Sequence, residues 1–467
     1  MRGASVLTLL SVTSLTARGV AAVPAPTGGG GRAPLQALTP LASLTARAAV
    51  PDLMAAAPDC EGKAYQRAAL THISGTPLAA LFDDGAADRP DVWEASGIAL
   101  PPPVGPGAPP PPAAVIVLDN SASLPVLLAP GAPASPPRAG LGGGPAGFIG
   151  NLVGVLLPPP SPAPAPADPS RPGVSDWEGV TFGPDAGTLL ALVEAAVVPG
   201  AKAGGPRRAR VDELRLPGSL APPSGTAATE AVAAAPTLAP TLAPTLVRSC
   251  FVDYDLEAEN KGLEDLAYLG GGRALFLCEG NGCVGGKEGR APGRGVLLLA
   301  RLDFSPAASG EPGGCVWRVE KVVPLPESAA FEDYSGLDLR DGVLAVLSQA
   351  DGALWVGRWD ADREEAVDLL ETATGGGHEG NKANGTTPPA APPDWPGPVF
   401  PLPRDRSCRR ALCTAEGVGW LDPPATLGAR LVLTTDRAKP GAFPWACVAA
   451  SQGLHVVALP EGGQVVV

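Results

Sequence analysis

Six acidic side chains stand in a fixed relation to short glycine-type motifs, and carboxylates gathered in that way suit a divalent cation. Glu178 opens Glu178-Gly179-Val180, Glu264 opens Glu264-Asp265-Leu266, and Glu416 opens Glu416-Gly417-Val418. Glu194, Glu279 and Asp436 each close the apolar run that follows. Two related motifs carry serine in place of the acid. These are Ser96-Gly97-Ile98, followed by Val115-Ile116-Val117-Leu118-Asp119, and Ser335-Gly336-Leu337, followed by Leu344-Ala345-Val346-Leu347-Ser348-Gln349. In an antiparallel pair the start of one strand and the end of the next lie at the same end. Glu178 with Glu194, Glu264 with Glu279, and Glu416 with Asp436 are therefore expected to converge on one mouth, with Asp119, Ser96, Ser335 and Gln349 completing the ring. Clustered carboxylates repel unless a cation or a shared proton compensates, and hard oxygen donors favour Ca2+. The same residues could instead cap turns around a water-filled channel, accepting backbone amide hydrogen bonds. The sequence leaves both readings open.

Other chemistry has less support. Histidine occurs only as His72, His378 and His455, which leaves few bases for a Ser-His-Asp triad, and no Gly-x-Ser-x-Gly elbow is present. Gly285-Gly286-Lys287 resembles the end of a phosphate-binding loop, but Glu288 stands where Ser or Thr is required. The basic residues nearest the motifs, candidates for binding an anionic substrate, are Lys261 and Arg437, with Lys287 and Lys439 further away. Cys278 and Cys283, and Cys408 and Cys413, each have four residues between them. Each pair could staple a local turn as a disulfide, and the two together could hold zinc. Trp177, Trp355 and Trp420 sit inside the repeats and are expected in the core.

The elements that must position these residues follow from the repeat. Five segments share one grammar: a polar residue, Gly or Asp, an apolar residue, and then a strongly apolar strand, at intervals of roughly 70–85 residues. After Leu275–Glu279 come Gly295–Leu302 and Cys315–Val319, making four strands joined by Gly, Asn and Pro turns. Ala353-Leu354-Trp355-Val356 repeats the plan in the next unit. Four short antiparallel strands per unit, with almost no helical periodicity, predict an all-β fold. The expected form is a β-propeller of about five, or six, four-stranded blades with Pro/Ala/Gly-rich loop insertions. The last unit runs out with about three strands, and Ala68–Phe82 is the candidate for its fourth.

The propeller is expected over 60–467, with low-complexity inserts at 101–112, 158–172, 218–246 and 371–398. Gly (60) and Pro (57) make up about a quarter of the 467 residues, yet 45% are hydrophobic, enough for a core. The net charge of −13 argues against nucleic-acid binding and leaves an unidentified ligand or protein as partner. No spanning helix is expected after the N-terminus. Residues 1–50 contain arginines and no acid, and they read as a signal or transit segment. That points to a secreted protein or, alternatively, one bound for the chloroplast or another organelle. Eight cysteines fit an oxidising compartment, and Asn384-Gly385-Thr386 is a glycosylation sequon.

Asp333-Tyr334-Ser335-Gly336-Leu337 with Leu347-Ser348-Gln349 and Leu354 resembles a repeat of the SdiA-regulated propeller family. Glu264-Asp265-Leu266-Ala267-Tyr268 and Ala415-Glu416-Gly417-Val418 resemble other repeats of it. Leu277-Cys278-Glu279-Gly280-Asn281 is similar to strand ends of the related esterase-like phytase propellers. The resemblance spans roughly 90–460 without the inserts, and departs from the pattern at Asp265, where Gly is usual, and at Gln349, where an acid is usual. It implies a propeller with bound calcium and, in the phytase-like branch, a phosphoester or ester hydrolase. Fold analogy alone does not give activity.

Overall fold

The computed structural model describes residues 69–78, 94–101, 113–118, 124–128, 153–157, 177–198 except 186, 207–216, 244–257, 261–305, 314–369, 397–438 except 406, 426 and 427, and 443–460. The expected signal or transit segment, most of each insert, the sequon, Asp119, His378 and Lys439 lie outside them.

Strand β1 (Thr71–Pro77) comes first and is used last. The first group is β2 (Ala95–Ala99), β3 (Ala113–Leu118), β4 (Leu124–Leu128) and β5 (Val153–Leu157), paired in that order. The second is β6 (Trp177–Phe182), β7 (Thr188–Val197), β8 (Arg207–Arg215) and β9 (Thr245–Val252). The third is β10 (Leu263–Gly270), β11 (Arg273–Cys278), β12 (Val296–Asp303) and β13 (Val316–Pro324). The fourth is β14 (Gly336–Arg340), β15 (Val343–Ser348), β16 (Ala353–Asp360) and β17 (Glu365–Asp368), with β18 (Val399–Pro401) also on β16. In the last group β19 (Ala415–Trp420), β20 (Arg430–Thr435) and β21 (Gly453–Ala458) are completed by β1, which pairs antiparallel with β21. The Pro-Thr-Leu-Ala stretch ends inside this architecture, since Thr245 and Leu246 already pair with Arg215 and Leu214.

The first strands close a ring: β2 packs on β6, β6 on β10, β10 on β14, β14 on β19, and β19 on β2. Radially arranged four-stranded sheets around such a ring are a β-propeller. The core lies between consecutive sheets, which explains why the second strands read as unbroken apolar runs and do not alternate. Leu275 and Leu277 of β11 face Leu344 and Val346 of the fourth group. Ala274, Phe276 and Cys278 of the same strand face Leu190, Leu192 and Val211 of the second. Strand β15 repeats the division, with Val343, Ala345 and Leu347 turned toward Trp420, Leu431 and Leu433. Trp177, Trp355 and Trp420 are fully buried, as expected.

Three disulfides are formed among the described residues. Cys278–Cys283 staples the turn after β11, as the spacing suggested. The expected Cys408–Cys413 pairing is corrected, because Cys413 is bonded to Cys447, with Cα atoms 5.4 Å apart, and Cys408 is disulfide-bonded elsewhere. The reason is tertiary. Helix α1 (Trp445–Ala450), between β20 and β21, carries Cys447 onto Cys413, and both sulfurs meet the Arg410 carbonyl. Cys250–Cys315 joins the outer strands of the second and third groups beside their parallel contact, Phe251 with Val316 and Val252 with Trp317. It closes a loop with a sequence separation of 65. Cys250→Ser/Cys315→Ser is expected to lose about 2–4 kcal/mol, read by urea denaturation, and a loss below about 0.5 kcal/mol would contradict that role. Three disulfides fit an oxidising compartment. No helix among the described residues is long and apolar enough to cross a membrane.

Candidate functional site

The motif that recurs in the sequence is a β-bulge. Ala95 faces Leu118 and Gly97 faces Val117, so Ser96 is an extra residue with no opposite partner. The same slip occurs between Trp177 and Gly179, Leu263 and Asp265, and Ala415 and Gly417, placing Glu178, Glu264 and Glu416 in equivalent positions. In the fourth group Ser335 N–H bonds the Leu347 carbonyl at 2.9 Å while Gly336 also opposes Leu347. A bulge re-aims its extra side chain, which is how five polar residues come to stand at one end of the ring.

The next position is glycine because the strands nearly touch there. A Cβ on Gly97 would lie 2.8 Å from the Glu178 carbonyl oxygen, one on Gly336 would lie 2.6 Å from that of Glu416, and one on Gly417 would lie 3.0 Å from Gly97 Cα. Asp265 replaces the fifth glycine. Its buried carboxylate accepts Leu266 N–H at 2.8 Å and Leu337 N–H at 2.8 Å, and also bonds the Val180 amide. One side chain thus ties β6, β10 and β14 together. Burial raises its pKa well above the carboxylate range, against the pull of those hydrogen bonds. Asp338 does similar work one group on, accepting Leu339 N–H at 2.8 Å and Trp420 N–H at 2.7 Å. At the opposite end of β14, buried Arg340 donates to the carbonyls of Leu100, Pro101 and Leu421.

At the mouth, carboxylate oxygens of Glu194, Glu264 and Glu279 lie within 4.8 Å of one another, all half-buried. Glu264 comes from the bulge of β10, Glu279 from the end of β11, and Glu194 from β7 of the neighbouring group. Glu194 is fixed by Gly262 N–H, which donates to its Oε1 at 2.7 Å. Lys261 forms an ion pair with Glu279. Burial first, then the charges of Glu194, Glu416 and Asp333, push the Glu264 pKa well above its usual range, and Lys261 opposes them. Glu416 receives a hydrogen bond from Gln349 Nε2. Among the described residues, Glu178, Glu416 and Asp436 do not join the three-carboxylate group, and Arg437 is exposed beside Asp436.

Several residues at this end were not singled out in the sequence. Asp333 accepts Ser348 Oγ–H at 2.7 Å and Ala350 N–H at 2.9 Å, fixing the loop after β15. Asp351 accepts Glu332 N–H at 2.8 Å, and its own N–H donates to Ser348 Oγ at 3.0 Å. Arg410 bonds the Ala350 carbonyl and, with Gln349, Cys413, Phe443 and Pro444, lines a cavity of about 400 Å³ beside Glu416's partner. Asp333 was within reach, since it opens the Asp333-Tyr334-Ser335-Gly336-Leu337 motif. Arg410 gave no signal, because its place depends on a loop from another group.

No protein-family model and no curated protein matches the chain. Solved structures that resemble it do so weakly. A luciferin-regenerating enzyme is 11% identical with a TM-score of 0.33, covering 80% of this chain and 95% of its own. Regucalcin, a calcium-binding protein from Agrobacterium tumefaciens, is 11% identical with a TM-score of 0.32 over 80% and 92%. An α-L-arabinofuranosidase from Lactobacillus brevis is 10% identical with a TM-score of 0.34 over 79% and 90%.

Proposed function

We propose that this is an extracytoplasmic binding propeller of the SdiA-regulated and phytase-like kind, which holds a divalent cation, calcium by its donor set, at the mouth of the ring and uses it to engage a ligand. The observation that carries the reading is the Glu194, Glu264 and Glu279 group, three carboxylates from two neighbouring strand groups with oxygens within 4.8 Å. Calcium–oxygen distances of about 2.3–2.6 Å place ligand oxygens at most about 5 Å apart across the ion, so the group fits the ion's dimensions. An all-oxygen set matches calcium better than zinc or copper. Binding requires Lys261 to leave Glu279. It also releases any proton held on Glu264, whose raised pKa makes affinity rise with pH.

The experiment is calcium titration of the purified protein by calorimetry and by melting temperature. At calcium 100-fold above Kd the protein should gain about 2.7 kcal/mol, with protons released. Glu264→Gln should weaken binding at least about tenfold. An unchanged melting temperature at millimolar calcium, or equal affinity in the variant, would exclude the site.

A second reading, a calcium-dependent phosphoester or ester hydrolase, is favoured only by the cavity beside Arg410. Of the two basic residues expected to bind substrate, Lys261 is ion-paired with Glu279 and Arg437 is exposed beside Asp436. Turnover of p-nitrophenyl phosphate or acetate that stops with chelator would favour this reading over pure binding.

A further inference from the structure

We infer that His72 and His455 form an acid-labile clasp that holds β1 in the last strand group and lets it go when both rings take up protons. In the pairing that closes the ring His72 stands opposite Val457 and His455 opposite Gly75, and the two side chains meet on the diagonal, with His72 Nε2 3.4 Å from His455 Nδ1 and ring centroids 5.6 Å apart. His455 is 1% exposed, and its Nε2 lies 2.8 Å from the Ala450 carbonyl. A carbonyl only accepts, so Nε2 carries the hydrogen and Nδ1 is left as the acceptor for His72. One proton can be shared between His455 Nδ1 and His72 Nε2, but with both rings protonated two N–H groups and two charges are set against each other inside the sheet.

The surroundings offer the charged form nothing. From β20 the ring meets the Thr435 hydroxyl at 3.4 Å, from α1 the Ala450 carbonyl, and from β1 His72 and the backbone at Gly75. A Cβ on Gly75 would stand 2.6 Å from His455 Nδ1, so β1 is pressed directly against the ring. Among the described residues, the one titratable group acting on His455 is His72, and no carboxylate acts on either ring. Burial holds His72 down at about 4 and His455, with His72 adding to the effect, at about 3. The strand itself is weakly fixed at this point. Its register slips between His72 and Ser74, and the buried Ser74 Oγ has no hydrogen-bond partner among the described residues.

The sign follows from linkage. A released histidine titrates near its ordinary value of about 6.5. The clasp is therefore at full strength above that pH and weakens steadily as pH falls toward 4. Between pH 7 and pH 5 the opening constant should rise about 20-fold if His72 alone is freed, and several hundredfold if both are.

The test is hydrogen exchange on the full chain at pH 7, 6 and 5, corrected for the intrinsic pH dependence of exchange. Protection of 71–77 should collapse by those factors while β19 and β20 stay protected. His72→Gln keeps a donor but cannot titrate, and should retain only the smaller, about 20-fold response. His455→Gln is the second variant, and the proposal does not depend on its folding. If β1 loses protection no faster than β19 and β20, or if His72→Gln responds like the natural chain, the clasp does not exist.

Discussion

Gly179→Ala should cost at least about 4 kcal/mol and leave little folded protein. The added Cβ would lie 2.4 Å from Asp265 Oδ1, 2.6 Å from Asp265 Cα and 2.9 Å from the Glu264 carbonyl oxygen. Two of those three atoms are backbone or bound to it, so no rotamer change relieves the contact. The strands β6 and β10 must separate, and with them the hydrogen bonds that Asp265 makes to three first strands. Gly187→Ala is the control, because its nearest neighbour would be Asp185 Oδ1 at an ordinary 3.4 Å. Urea denaturation of the two variants checks the claim. Equal stability would mean that the ring does not need its close approach.

Asp212→Ala should be of comparable size, a loss of about 3–5 kcal/mol. Asp212 is fully buried in β8 and accepts Arg210 Nε–H at 2.9 Å, Arg210 Nη2–H at 3.0 Å, Trp177 Nε1–H at 3.1 Å and Ser249 Oγ–H at 2.7 Å. Removing it takes a two-point carboxylate partner from a guanidinium with a side-chain exposure of 7% and the acceptor from an indole N–H that lies immediately before the bulge at Glu178. Asp212→Asn, which keeps one acceptor oxygen but loses the charge and the other, should fall between the natural chain and Asp212→Ala. The readout is denaturant midpoint together with Trp fluorescence. A loss below about 1 kcal/mol would show that the Asp212 carboxylate is not what holds Arg210 and Trp177 in place.

The strands could be read because each second strand is buried on both faces, so Leu275–Cys278 and Leu344–Leu347 stand out as apolar runs between turn residues. The closing strand was legible for a topological reason, since the last unit lacked one. The bulge was not, because a two-against-one pairing is a property of two strands and leaves no mark in either alone. That blindness extends to Asp265. As a departure from the usual glycine it looked like a defect in an acidic site, whereas its carboxylate is a brace between strands. The acids of all units were expected to converge on one mouth, and what the sequence could not say is which come closest, since that depends on the approach of neighbouring units that sets Glu194 beside Glu264 and Glu279. The same blindness to contacts between distant segments hid the Cys413–Cys447 bridge.

The pairing of β1 with β21 also fixes an order in time. A ribosome makes β1 first, and its partner emerges only after every other strand group, 383 residues later by the separation of His72 from His455. Until then β1 has an unpaired edge and the first group lacks its neighbour across the closure. Ring completion therefore waits until β21 has been made, and β1 must be kept from pairing with another chain in the meantime.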